Sequence, residues 1–165
     1  MNDIDRKALA DKAKLKLNSF RELFKNLRKL KGKELDNAFM YTHDNVFEKT
    51  DCLQCGNCCQ VGTPVFSEKD VERAAKRLKM KPGDFTHAWL FTDSDGDKVL
   101  KSTPCPFLGE DNYCSIYEDR PEDCRNFPHT RRKPMLPRLN VVLANTAVCP
   151  AAMKILEIMQ TEYRT

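Results

Sequence analysis

Apolar residues recur at three- and four-residue steps through Leu9, Ala13, Leu17, Phe20, Phe24, Leu27 and Leu30. That spacing lines one face of a helix turning every 3.6 residues. Neither Gly nor Pro interrupts it before Gly32, so it predicts one long amphipathic helix over residues 3–31. A shorter helix follows over residues 34–50. Ser67-Glu68-Lys69-Asp70 has the form of a capping signal and opens a helix through about Met80. Lys81-Pro82-Gly83-Asp84 stops it, and another short helix starts near Asp84. Phe91 to Lys101 reads as a hairpin with Ser94-Asp95-Gly96-Asp97 at its turn. Residues 104–137 are rich in Pro and Cys and lack periodicity, which predicts loop with short helical turns. Leu139 to Leu143 suits either a short strand or a buried helical turn. Pro150 fits the first position of a last helix, Ala151 to Tyr163, with Ile155, Leu156, Ile158 and Met159 available to a core.

The chain has 165 residues, a length that suits one domain with an appendage. Its hydrophobic fraction of 41% and single Trp imply a modest core. No apolar run reaches the roughly 18 residues of a membrane span, so none is expected. Residues 1–16 mix acids and bases without an apolar stretch and cleavage site, so a secretory signal is not expected and the location expected is cytoplasmic. The six glycines form neither G-x-G-x-x-G nor a Walker loop, and G-x-S-x-G and H-E-x-x-H are missing as well. A self-sufficient nucleotide-driven enzyme, serine hydrolase or zinc protease is thereby disfavoured. The acidic turn at Asp93–Asp97 does not make a calcium loop, because position twelve of such a loop falls on Pro104.

Charge changes the picture at one end. Residues 1–33 hold 11 bases against 4 acids, a balance of +7, whereas the whole chain is +4. The basic character therefore belongs to the first helix. It fits an arm for nucleic acid, a membrane surface or an acidic protein partner through residues 3–31, or simply a packed helix with a solvated face. Few aromatics interleave with the bases as a nucleic-acid platform requires, so no nucleic-acid partner is expected.

The eight cysteines carry the chemistry. Four of them fall in eight residues as Cys52-x-x-Cys55-x-x-Cys58-Cys59, and Cys105, Cys114, Cys124 and Cys149 follow at wide intervals. Two-residue gaps bend a chain so that successive thiolates converge, as in zinc and iron sites. Gly56 directly after Cys55 allows the positive φ of a metal knuckle. Cys58 and Cys59 do not easily serve one tetrahedral ion, so they face different metals, bridge two, or leave one thiol structural or reactive. Four late thiols beside four early ones match two four-thiolate sites or one polynuclear site; a disulfide or redox relay is the competing reading. Arg120 and Arg125 suit an anionic thiolate centre, or surface pairing with Glu118 or Glu122. His129, five residues past Cys124, is the leading candidate ligand other than cysteine, although an imidazole with an ordinary polar partner is the simpler account.

The run Cys52-x-x-Cys55-x-x-Cys58-Cys59 resembles the name-giving motif of the CxxCxxCC cysteine-cluster family, the YkgJ family. Cys105-Pro106-Phe107-Leu108 and the stretch from Cys114 through Tyr117, Arg120, Pro121 and Cys124 to Pro128 resemble its second signature. The likeness covers about residues 51–150 and all eight cysteines. It implies a zinc- or iron-chelating domain, with zinc or an iron–sulfur cluster as cofactor and the eight cysteines as candidate ligands. Flagellin lysine N-methylases are similar over this cluster, which implies methyl transfer for some relatives. The fold expected is a small, irregular, α-rich domain (α+β at most) organised by metal, with short helices and a hairpin around the cysteines. Residues 1–50 form its basic helical extension, and residues 51–165 the metal-binding domain with a C-terminal helix. Three functions follow from this reading: a metal-binding cysteine-cluster protein, an enzyme or accessory of methyl transfer, and a metal-stabilised adaptor using the basic helix.

Overall fold

The apolar stripe of the first segment becomes a single helix because nothing in it disfavours helix and its buried side chains share one face. In the computed structural model, which describes residues 6–163, α1 runs Arg6–Leu27 and buries Ala13, Phe20, Leu23, Phe24 and Leu27. Positions 3–5 of the expected helix lie outside the described residues. A turn separates α1 from α2 (Gly32–Phe47), which buries Leu35, Phe39 and Thr42. The Thr42 hydroxyl donates to the Ala38 carbonyl one turn back, so its burial leaves no unmet donor.

The described residues divide into two units. The first takes residues 6–51 and 128–163, the second residues 52–127. In the first unit, α8 (Leu139–Asn145) and α9 (Pro150–Glu162) join α1 and α2. The helices α3–α7 and the hairpin belong to the second unit and are introduced below. Residues 139–143 are helical, with Leu139 and Val142 three apart and buried together. Pro150 opens α9 at its first turn, where the missing N–H costs nothing. Phe20, Leu27, Phe39, Leu139, Ile155, Leu156 and Met159 are completely buried in one cluster. At about 25 cal/mol per Å² of apolar surface, such a cluster is the main favourable contribution to the stability of this unit. Lys12 and Lys16 of α1 both reach the Glu157 carboxylate of α9, at 2.9 and 3.1 Å. Burial resists the ionisation of Glu157, but the two ammonium groups outweigh it and hold the carboxyl below its ordinary range.

The second unit is built of short pieces. The cysteine motif forms two helical turns, α3 (Cys52–Cys55) and α4 (Asn57–Val61), on either side of Gly56. α5 (Glu68–Arg77) begins with a full capping box: the Asp70 amide donates to the Ser67 hydroxyl and the Ser67 amide to the Asp70 carboxylate. α6 (Pro82–Trp89) leads into an antiparallel hairpin, β1 (Leu90–Thr92) and β2 (Lys98–Leu100), with Leu90 opposite Leu100. Asp93 shapes the hairpin turn by accepting from the amides of Asp95 and Asp97. A 3₁₀ turn at Tyr117–Asp119 precedes α7 (Glu122–Asn126). The core here is smaller and aromatic, with Phe66, Phe85 and Phe107 in contact and Trp89 edge-on to Phe107. The protein is thus α-rich with one small hairpin, and none of its described helices is long and apolar enough to cross a membrane.

Candidate metal centre

Three segments of the second unit bring six cysteines into one neighbourhood. Gly56 takes the left-handed conformation, φ 56°, and so reverses the chain between Cys55 and Cys58. A side chain there would also crowd Asn112, whose Cβ lies 3.2 Å from the position a glycine Cβ would take. Cys58 and Cys59 sit in the first turn of α4. The Cys105 amide donates to the Cys59 carbonyl at 2.7 Å, which ties the second cysteine segment to the first. Cys114 follows a tight loop in which Leu108 and Cys114 pair across an isolated antiparallel bridge. Cys105 and Cys114 both rest against the aromatic core. Cys124 lies in α7, the third segment.

Electrostatics reports their proximity. Burial pushes the Cys124 thiol far up, and the charges of Cys58, Cys105, Asp123 and Cys114 push it further. Burial likewise raises Cys105, with Cys114 and Cys58 adding to the effect. Cys114 is raised by burial and by Cys58, while the Ile116 amide and the Arg120 guanidinium pull it back. Burial also raises Cys55, against a hydrogen bond from the Asn57 backbone. Cys58 is the exception. A hydrogen bond from the Cys59 thiol, helped by backbone amides, holds it down to about 7, while the same pairing drives Cys59 up. Half-buried thiols that repel one another's charge are a donor set suited to a cation, which would reverse the sign of every one of these interactions.

The remaining candidates are Cys52, Cys149, His129, Arg120 and Arg125. Cys52 is exposed at the start of α3. Cys149 lies in the first unit, where its Sγ accepts from the Ala152 amide at 3.4 Å and caps α9. None of the eight cysteines is joined in a disulfide. His129 also lies in the first unit, at φ 66°. Arg120 stacks on the Tyr117 ring at 3.7 Å and donates to the Tyr117 carbonyl. Arg125 donates to the carbonyls of Arg120 and Glu118, so it braces the backbone of the loop that precedes Cys124. Among the described residues, no three His, Cys, Asp or Glu side chains are already set around one point as a finished metal site.

Asp70 and Asp123 were not singled out in the sequence, although both hold the cysteine segments. Asp123 accepts from the Val65 amide at 3.3 Å, linking α7 to the chain just past Cys59. The carboxylate of Asp70 reaches the amide of Glu122 at 3.1 Å. The capping signal at Ser67 was visible, but the second use of the same carboxylate joins residues 52 positions apart and leaves no local mark.

On α1, Lys12 and Lys16 pair with Glu157, whereas Lys7, Lys14, Arg21 and Lys25 are exposed along another line of the helix. Their partners within the helix are Asp11 for Lys14 and Glu22 for Lys25, exposed pairs of the weak kind.

The geometry of this cysteine unit defines a class of small α-rich domain in which cysteine-bearing segments come together. Residues 51–150 match the model of the CxxCxxCC family, described as a putative zinc- or iron-chelating domain, and the chain belongs to that family. No curated protein and no solved structure matches it.

Proposed function

We propose that the second unit is a metal-chelating centre whose thiolate ligands are drawn from Cys52, Cys55, Cys58, Cys59, Cys105, Cys114 and Cys124. The observation that carries this reading is the convergence of Cys58, Cys59, Cys105, Cys114 and Cys124 from three segments, where Cys58 raises the cost of ionising each of the other four. Cys149, whose Sγ accepts from the Ala152 amide, is left out of the proposed set. The number of thiols exceeds the four that one tetrahedral ion uses, which favours more than one metal atom per chain, as two zinc ions or an iron–sulfur cluster. The metal would supply cross-links between segments far apart in the chain, so its role is to organise the fold. Elemental analysis of anaerobically purified protein tests this. More than one zinc per chain without sulfide, or iron with acid-labile sulfide and a colour bleached by dithionite, is expected. A folded protein with less than a tenth of a metal atom per chain contradicts the proposal.

A second reading, that the protein is also an adaptor, is favoured by the exposed line of bases on α1. A row running from Lys7 to Lys25 spans about 27 Å at 1.5 Å per residue and suits an acidic protein segment lying along the helix. Fluorescence anisotropy with labelled poly-glutamate tests it. Binding should weaken with salt and fall at least tenfold when Lys7, Lys14, Arg21 and Lys25 are all replaced by Gln; equal binding by both forms rejects it.

A further inference from the structure

We propose that Asp70 is a positioning residue for the metal centre, acting through Cys124 with Arg73 as its partner. The inference rests on the chelating role proposed above and names a residue outside the ligand set. Asp70 is 3% exposed, rare for a carboxylate unless its oxygens are fully used. They are used. Oδ2 accepts from the Ser67 amide at 3.0 Å and the Ser67 hydroxyl at 2.6 Å, and Oδ1 accepts from Arg73 Nη2 at 2.6 Å and the Glu122 amide at 3.1 Å. Despite its burial, these hydrogen bonds from Ser67, Arg73 and Glu122 hold the carboxyl below its ordinary range, so it is a fixed negative charge.

The Glu122 amide is the first of α7, a single turn preceded by Pro121, which offers no capping side chain. Asp70 therefore caps α7 from another helix, and Cys124 is two residues further along that turn. Arg73 extends the hold, because the Nη2 that pairs with Asp70 also donates to the Arg120 carbonyl at 2.9 Å. Arg125 meets the same carbonyl at 3.1 Å. The backbone from Arg120 to Cys124 is thus anchored to α5 at two points. A turn of five residues has no stability of its own. Where it holds Cys124 is set by the carboxylate that caps it. Ligands fixed before the metal arrives bind it more tightly, and loss of such support commonly costs 10- to 100-fold in affinity.

The test is a double-mutant cycle on the full chain, titrated anaerobically with Co²⁺ and read by the thiolate-to-cobalt charge-transfer band. Asp70→Asn should weaken Co²⁺ binding about 10-fold or more and shift the band, with all seven cysteines of the unit still present. In a Cys124→Ser background the same change should have less than a threefold effect, because the ligand it positions is gone. Arg73→Gln keeps the capping box and guards against misfolding of the first variant; it should weaken binding in the same background-dependent way. Equal losses in both backgrounds, or no loss in either variant, overturn the inference while leaving the chelating role intact. A wild-type chain that develops no charge-transfer band overturns the chelating role, and the inference with it.

Discussion

The two units reach order by different means. In the first, long helices bury Phe20, Phe24, Leu27, Leu35, Phe39, Leu139, Ile155 and Leu156 in one cluster. The second has no helix longer than the ten residues of α5, and its smaller cluster joins three phenylalanines and two alanines to Val71, Leu90, Leu100 and Ile116. Beside this smaller apolar cluster it has a dense set of polar cross-ties. Asp70 joins α5 to α7, Asp123 joins α7 to Val65, and the Cys105 amide joins Cys59. Its thiols press against one another's charge. Hydrophobic burial is non-directional and holds a helix bundle without special residues. Cross-ties and metal ligation are directional, and each depends on particular atoms. One unit should therefore degrade gradually under substitution and ignore chelators, and the other should do neither.

The largest effect expected of a single side chain in the first unit comes from its core. Phe20→Ala should cost about 3–5 kcal/mol, read as a loss of hydrogen-exchange protection in α1 and α9. Metal should make no difference to that loss; a loss that vanished on metal addition would erase the contrast between units.

Next in size is Asp70→Ala, which leaves the Glu122 amide without its acceptor and the Arg73 guanidinium without its ion pair. About 2–3 kcal/mol of stability in residues 52–127 should go, given the value of hydrogen bonds to a charged group. The pH dependence has a definite sign. The folded carboxyl titrates below its unfolded value of 3.8, so its contribution is present above that pH and fades as pH falls through the folded value. Acid unfolding followed with and without Asp70→Ala should differ in steepness below pH 4 and run parallel above about pH 5. Parallel curves throughout would remove Asp70 from the account.

A smaller effect of the same kind belongs to the first unit. His43 stacks on Phe47 and shares a 2.7 Å hydrogen bond with the buried Thr130. Burial lowers its pKa, Asp44 opposes that, and Arg131 adds to it. Because the unfolded imidazole gains its proton first, stability should decline as pH falls below about 6.5 and level off under the folded value. His43→Gln should flatten that slope in thermal melts between pH 7 and 5; an unchanged slope would assign it to other groups. Smallest of all, Glu157→Gln should cost about 1 kcal/mol or less, since Lys12 and Lys16 are partly solvated. A loss above about 2 kcal/mol in urea unfolding would mean that this pair organises α1 against α9.

Local elements were legible in the sequence wherever one residue's neighbours decide the outcome. The stripe from Leu9 to Leu30, the Ser67 cap, the turn at Ser94–Asp97 and Pro150 all act within a few residues, and each marks its element, although α1 stops at Leu27, short of the expected residue 31. The strand-or-helix choice at Leu139–Leu143 stayed open because two adjacent valines suit both states. Packing against a core cluster decides it, and that partner lies elsewhere in the chain. The cysteine motif was legible as chemistry, and Gly56 as its turn. What spacing does not encode is which distant segments meet. The intervals between Cys105, Cys114 and Cys124 carry no geometric rule comparable to C-x-x-C. The Cys105–Cys59 backbone link and the second role of Asp70 exist only once the chain has folded.

The contrast between the units is tested most directly by hydrogen exchange on the full chain, metal-replete and after anaerobic chelation. Amides of residues 52–127 should lose protection on chelation, while those buried in α1, α2 and α9 keep it. Protection in residues 52–127 that is unchanged by complete removal of metal would contradict the account, because that unit would then be holding itself together without the thiolate centre.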